Sequence, residues 1–282
     1  MTLLPWLPPF DRQWIFAFLR ARAVSGIETF SEDTYSRSLA LAGHRGLITV
    51  TADDAAQGLR VSLSDGLLPV ADECLKRVAR LFDLSCDPQQ VAQVLGPLAQ
   101  ARPGLRLPGS LDVFEQAVRA VLGQLVSVAM AAKLTAKVVA AFGEPLAAVP
   151  GYSLFPTPDR LALADPLALK ACGMSLRRAE ALIHLAQAAL SGALPLAAPE
   201  DIDAGMKQLQ TLPGIGRWTA SYFALRGWQA QDIFLADDYL IKQRFSGMTP
   251  ARIAHYARRW QPLRSYALLH IWYTEGWTPT AE

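Results

Sequence analysis

Apolar and polar residues alternate with period two over residues 35–42, 47–51 and 59–64, separated by Gly43-His-Arg-Gly46 and by the polar stretch 52–58. That alternation lays one buried face along an extended chain. It predicts three short antiparallel strands with helices covering one side. A helical pattern precedes them over 14–23. Another follows from about 70 to 81, where Leu75, Val78, Ala79 and Phe82 fall on one stripe. His44 sits in a predicted turn and reads as solvated, and nothing else here suggests chemistry. Residues 1–88 therefore read as an α+β unit.

From residue 89 onward the alternation stops and a helical period takes over. Proline and glycine clusters at 103–104, 108–109, 143–151, 156–158, 195–199, 213–216 and 247–250 divide the rest into about eight to ten helices with short connections. The predicted class is α+β, a mostly helical core behind a small N-terminal sheet.

Composition changes this picture little. Half of the 282 residues are apolar, which argues against disorder. Charged residues interrupt every apolar run before it could cross a bilayer. The N-terminus lacks the basic and apolar regions of a secretion signal. Cys74, Cys86 and Cys172 are odd in number and widely spaced, as reduced core thiols of a cytoplasmic protein would be. His184, His255 and His270 lack metal-ligand partners at workable spacing, so no catalytic metal is expected. A net charge of +2 does not announce a nucleic-acid binder, and any DNA surface must be local.

The most informative stretch is Thr211-Leu-Pro-Gly-Ile-Gly-Arg-Trp-Thr-Ala220. Helical patterns flank it over 203–209 and 218–225, and Pro213, Gly214 and Gly216 make a bare turn between them. Such a turn opening a helix offers unpaired N–H groups and a positive dipole end, a seat for one phosphate. A lone turn of this kind is more often a plain connector. A second, weaker example is Gly173 ahead of Ser175, which reads equally well as an ordinary capped helix. Farther on, Asp237 and Asp238 stand at a predicted helix start. Asp237 fits an N-cap, Asp238 is the catalytic candidate, and the residues alone leave that choice near even.

Leu212-Pro-Gly-Ile-Gly216 between helices, with an aspartate about twenty residues on, resembles the helix-hairpin-helix DNA glycosylases. The likeness narrows to the bacterial inducible 3-methyladenine DNA glycosylase II type. It is carried by segments 102–109 and 121–133, Arg217-Trp-Thr-Ala220, Asp237-Asp-Tyr-Leu-Ile-Lys242 and segment 264–277, and it runs nearly end to end. The resemblance implies Asp238 as the catalytic carboxylate and Trp218, Tyr222, Tyr239 and Trp272 as walls of a base pocket. It implies Leu125, next to Gln124, as the wedge pushed into the duplex, although periodicity alone would place Leu125 in the core. Leu212, Gly214, Ile215, Gly216 and Thr219 become the phosphate-binding hairpin, and the carbonyls of Gln210, Leu212 and Gly214 a seat for a monovalent cation. No organic cofactor is implied, and the partner is double-stranded DNA carrying alkylated bases, bound by a monomer. The implied division joins 89–112 to 231–282 as one helical domain, leaves 113–230 as the hairpin-bearing one, and puts the cleft between them. Ala236 departs from the proline common in the family, which loosens the turn without touching the chemistry.

Members that also nick the backbone carry a lysine where this chain has Trp218. Tryptophan cannot form an imine, so hydrolysis without strand cleavage is expected. No cysteine follows Cys172, which excludes the iron–sulfur cluster of some relatives. Flipping costs a few kcal/mol and stacking returns about 1–3 kcal/mol. The cation–π preference for a charged base adds only about 0.5–2 kcal/mol, so a broad substrate range is expected. The rival expectation is a non-catalytic damage binder with both aspartates as caps.

Overall fold

The computed structural model describes residues 1–280. The N-terminal elements are β1 (Thr2–Pro5), α1 (Arg12–Arg20), β2 (Glu28–Ser31), β3 (Thr34–Leu41), β4 (His44–Asp53) and β5 (Gly58–Leu63). They form one antiparallel sheet in the order β1-β5-β4-β3-β2. The three predicted strands are its interior. The two edges escaped prediction because each has only four residues and no sustained alternation. The first turn is also tighter than the 43–46 expected. Ala42 and Gly43, both at positive φ, make it alone, and β4 begins at His44. Helix α1 ends at Arg20 instead of 23, and Asp11 caps it by accepting from the Trp14 N–H at 3.0 Å.

After a 3₁₀ turn (Asp65–Val70) comes α2 (Ala71–Leu81), on the predicted stripe. The helical core follows with α3 (Pro88–Leu95), α4 (Pro97–Gln100), α5 (Val113–Leu122) and α6 (Val128–Phe142). A two-residue ribbon, β6 (Glu144–Pro145) with β7 (Ser153–Leu154), interrupts the region expected to lack strands. Then come α7 (Pro158–Ala162), α8 (Pro166–Ala171), α9 (Leu176–Ser191), α10 (Ile202–Leu209) and α11 (Arg217–Arg226). The chain closes with α12 (Tyr239–Arg244), α13 (Pro250–Tyr256), a 3₁₀ turn (Ala257–Trp260) and α14 (Arg264–Tyr273). Twelve helices thus stand from α3 onward among the described residues, where eight to ten were expected. The surplus comes from α4, α7, α8 and α12, four to six residues each, too short to show a periodic stripe.

Two packing relations position the site. Helix α5 lies against α9 and α11, and α14 lies against α4 and α12. The sheet is locked to α5 by buried charge. Glu28 on β2 accepts from the Arg119 guanidinium at 2.6 Å, from the Tyr35 hydroxyl at 2.8 Å and from the Val24 N–H at 2.9 Å. Arg37 on β3 bonds Glu115 on α5, which also pairs with Arg119 at 2.7 Å. All three cysteines are buried and free.

Candidate active site

The hairpin forms between α10 and α11. Gly214 is doubly required: its φ is +82°, and a Cβ there would lie 2.5 Å from the Ala181 Cβ on α9. Gly216 is the N-cap of α11 and brings no side-chain cap, and the first turn carries no acidic residue. Its N–H groups therefore remain available to an anion. Ile215 is buried beneath the turn while Gly214 and Gly216 are exposed, so backbone and not side chain faces outward.

The segment after α5 is tied to this hairpin. The Gln124 side-chain amide donates to the Gly214 carbonyl at 2.9 Å and to the Thr219 hydroxyl at 2.8 Å. The backbone carbonyl of Gln124 accepts from Arg178 on α9 at 2.7 Å. Leu125 follows with φ +56° and is 102% exposed. A leucine in the left-handed region and wholly in solvent is not a core residue, contrary to what periodicity favoured. Gln124 is a strut holding that leucine, and Thr219 is buried with its hydroxyl engaged by Gln124, so that side chain does not face a phosphate. Ser175 caps α9 by accepting from the Arg178 N–H, so the weaker hairpin supplies the arginine that anchors Gln124.

Trp218, Tyr222 and Arg226 recur every four residues and share one stripe of α11. The Trp218 and Tyr222 rings stack with centroids 5.1 Å apart and planes within 6°. They line a cavity of about 350 Å³ with Asp238, Trp272, Tyr273 and residues of the N-terminal unit, Arg22 and Glu28 among them. Asp238 is the N-cap of α12, correcting the assignment of that role to Asp237. One carboxylate oxygen accepts from the Leu240 and Ile241 N–H groups and from the Trp272 indole at 3.0 Å. The other accepts from the Trp218 indole at 3.2 Å. The cap bonds orient a carboxylate that lines the cavity, so its role as a cap does not withdraw it from the site. Asp237 is exposed and pairs with Arg217 at 2.7 Å. Tyr239 stands 73% exposed, bonded to Gln243, and lies outside the residues lining the cavity, unlike the wall expected of it.

Arg264 is committed to a two-pronged pair with Asp232 at 2.7 and 2.8 Å. Arg22, Arg226 and Tyr273 were missed. Arg226 was within reach, two turns beyond Trp218 on the same stripe, whereas nothing in the sequence joins Arg22 to α11.

A family model described as AlkA N-terminal domain matches residues 1–112, and one described as HhH-GPD superfamily base excision DNA repair protein matches 118–258. DNA-3-methyladenine glycosylase 2 of Escherichia coli (strain K12) is 64% identical, with 99% of each chain covered. DNA-3-methyladenine glycosylase of Bacillus subtilis (strain 168) is 29% identical, with 93% of each covered. The fold matches 3-methyladenine DNA-glycosylase from Archaeoglobus fulgidus with a TM-score of 0.78 at 19% identity, covering 96% of this chain and 97% of that one. With a cavity lined by Asp238 and by α11, the helix that follows the hairpin, the chain belongs to the DNA-3-methyladenine glycosylase 2 family, within the HhH-GPD superfamily of base excision DNA repair proteins.

Proposed function

We propose that the chain is a monofunctional glycosylase acting as a monomer. It draws 3-methyladenine, 7-methylguanine, other alkylpurines and O2-alkylpyrimidines from duplex DNA and hydrolyses the N-glycosidic bond to leave an abasic site. The observation that carries this reading is Asp238, held by two indole N–H groups and a helix start at the rim of an aromatic cavity. A pure binder has no use for a carboxylate so placed. Alkylation at N3 or N7 makes the purine cationic, so the base departs with the bonding electron pair and needs no general acid. Positive charge passes to the sugar, where Asp238 stabilises it or takes the proton of the attacking water. Trp218 and Trp272 aim the carboxylate and, with Tyr222, face the base. The exposed Leu125 fills the vacated place in the duplex.

The division into 1–88, 113–230, and 89–112 with 231–282 is supported by α3 packing on the 257–260 turn and α4 on α14. A monovalent cation at the carbonyls of Gln210, Leu212 and Gly214 would reinforce the positive end of α11 toward a phosphate. Leu212 and Gly214 already accept one hydrogen bond each, which leaves their second lone pairs for it.

The test is methylated duplex DNA with an end label. Free methylated base and a strand that stays intact until heated in alkali are expected. Binding without release would favour the damage binder, and spontaneous cleavage at the lesion would defeat the reading of Trp218.

Gln124→Ala removes two hydrogen bonds behind Leu125 and touches neither Asp238 nor the indoles. Release from a normally paired lesion should fall about tenfold. A lesion opposite an abasic gap, which needs little help to leave the stack, should be released at an almost unchanged rate. Stopped-flow or quench measurements on the two duplexes check this.

A further inference from the structure

Trp218, Tyr222 and Arg226 form a ladder down α11, and Asp238 meets it only at the top, through Trp218. The bottom has a different character. Arg226 is buried and donates from Nε to the Pro108 carbonyl at 2.6 Å and from Nη2 to the Gly109 carbonyl at 3.0 Å. Arg22, on the loop after α1, donates to the Phe18 carbonyl at 3.2 Å and the Tyr273 hydroxyl at 3.1 Å. Both guanidiniums stack on the Phe18 ring, 3.7 Å and 4.8 Å from its centroid. Both line the cavity, and among the described residues neither has a carboxylate within ion-pair distance. The neighbouring Arg37 and Arg119, by contrast, are balanced by Glu28 and Glu115.

The geometry points to a second recognition element within the proposed base pocket: a floor of guanidinium donors, Arg22 from the N-terminal unit and Arg226 from α11, that binds an exocyclic carbonyl oxygen on the edge of the base remote from the sugar. This rests on Asp238 standing at the sugar end. Guanidinium donates and never accepts, so the floor favours a keto base and has nothing to offer an amino group. The Tyr222 hydroxyl lies between the two charges. Burial pushes its pKa up, but Arg226 and Arg22 outweigh that and hold it below its ordinary value.

The two ends of the ladder also act on the chemistry. As the sugar–nitrogen bond breaks, its electron pair moves into the base and cancels the positive charge of the alkylated ring, so the two guanidiniums face a cation before the break and a neutral keto base after it. The sugar takes up positive charge beside Asp238 and is captured by water, which loses its proton. A carboxylate at one end and two guanidiniums at the other favour that movement, most of all for a base whose oxygen contacts the floor. Arg22 is thus a specificity-determining residue, and it gives the N-terminal unit a direct part in recognising the base.

The test uses dimethyl-sulfate-treated duplex DNA, which carries both 7-methylguanine, a keto-purine, and 3-methyladenine, an amino-purine. The two released bases are quantified from one tube, so their ratio does not depend on how much of a variant is folded. Arg22→Met should lower release of 7-methylguanine about tenfold relative to 3-methyladenine, seen in kcat more than in KM, and Arg22→Lys should recover part of the ratio. An unchanged ratio, or proportional loss of both bases, overturns the floor. If the wild-type protein releases neither base, the glycosylase reading itself has failed.

Discussion

Asp238→Asn is expected to abolish most base release, by about a hundred- to a thousandfold, while leaving duplex binding intact. Asparagine is as good an N-cap as aspartate, so α12 keeps its start. Its carbonyl oxygen can still accept from Leu240, Ile241 and Trp272. What changes is the second position, where an amide NH₂ would face the Trp218 indole N–H in place of an accepting oxygen. That costs about 1–3 kcal/mol locally, too little to unfold the domain. The lost negative charge removes the anion that the two indoles orient at the cavity. Asp237→Asn is the matched control. It breaks an exposed pair with Arg217, worth about 0–1 kcal/mol, and should retain nearly full release. Single-turnover release and gel-shift binding on the same methylated duplex separate the outcomes. Equal losses in the two variants, or loss of binding with Asp238→Asn alone, would remove Asp238 from the chemistry.

These residues also show where sequence reading reaches its limit. Gly214 was legible because its turn chemistry is local. The interior strands β3, β4 and β5 were legible because alternation needs only neighbours along the chain. Asp238 was singled out as the catalytic candidate with capping set against that role, since the indoles that hold its carboxylate beside the cap come from positions 20 and 34 residues away in sequence. Leu125 was misread by periodicity because an apolar residue is ordinarily buried, and only the bonds that Gln124 donates to Gly214 and Thr219 and accepts from Arg178 explain how it is held in solvent. Arg22 was invisible for the same reason in stronger form: its partners in the cavity, Tyr222, Arg226 and Tyr273, lie some 200 to 251 residues on.

The largest stability effect should come from Arg119→Met. Arg119 meets both Glu28 and Glu115, at 2.6 and 2.7 Å, and joins the sheet to α5 behind the cavity. Methionine fills most of the space, but two buried carboxylates are left sharing Arg37. Breaking one side of a buried pair costs about 3–5 kcal/mol, roughly 5–8 °C in Tm for a chain of this size. The pH dependence identifies the cause. In the wild-type protein, burial pushes the Glu28 pKa up, but Arg119 and then Arg37 outweigh it, so the value lies below the ordinary one. That contribution is present above the usual carboxylate range and is lost as pH falls. Without Arg119, burial prevails and the folded-state pKa of Glu28 rises. Stability tied to the protonated form is then present at low pH and lost as pH rises through the new value. The deficit of the variant should therefore be small near pH 5 and largest above pH 7. Adding Glu28→Gln should recover a substantial part of it at neutral pH, because the neutral amide removes the uncompensated charge. Denaturant melts of single and double variants at both pH values decide the matter. A deficit that is the same at both pH values, and additive in the double variant, would mean that Arg119 acts through packing and not through charge.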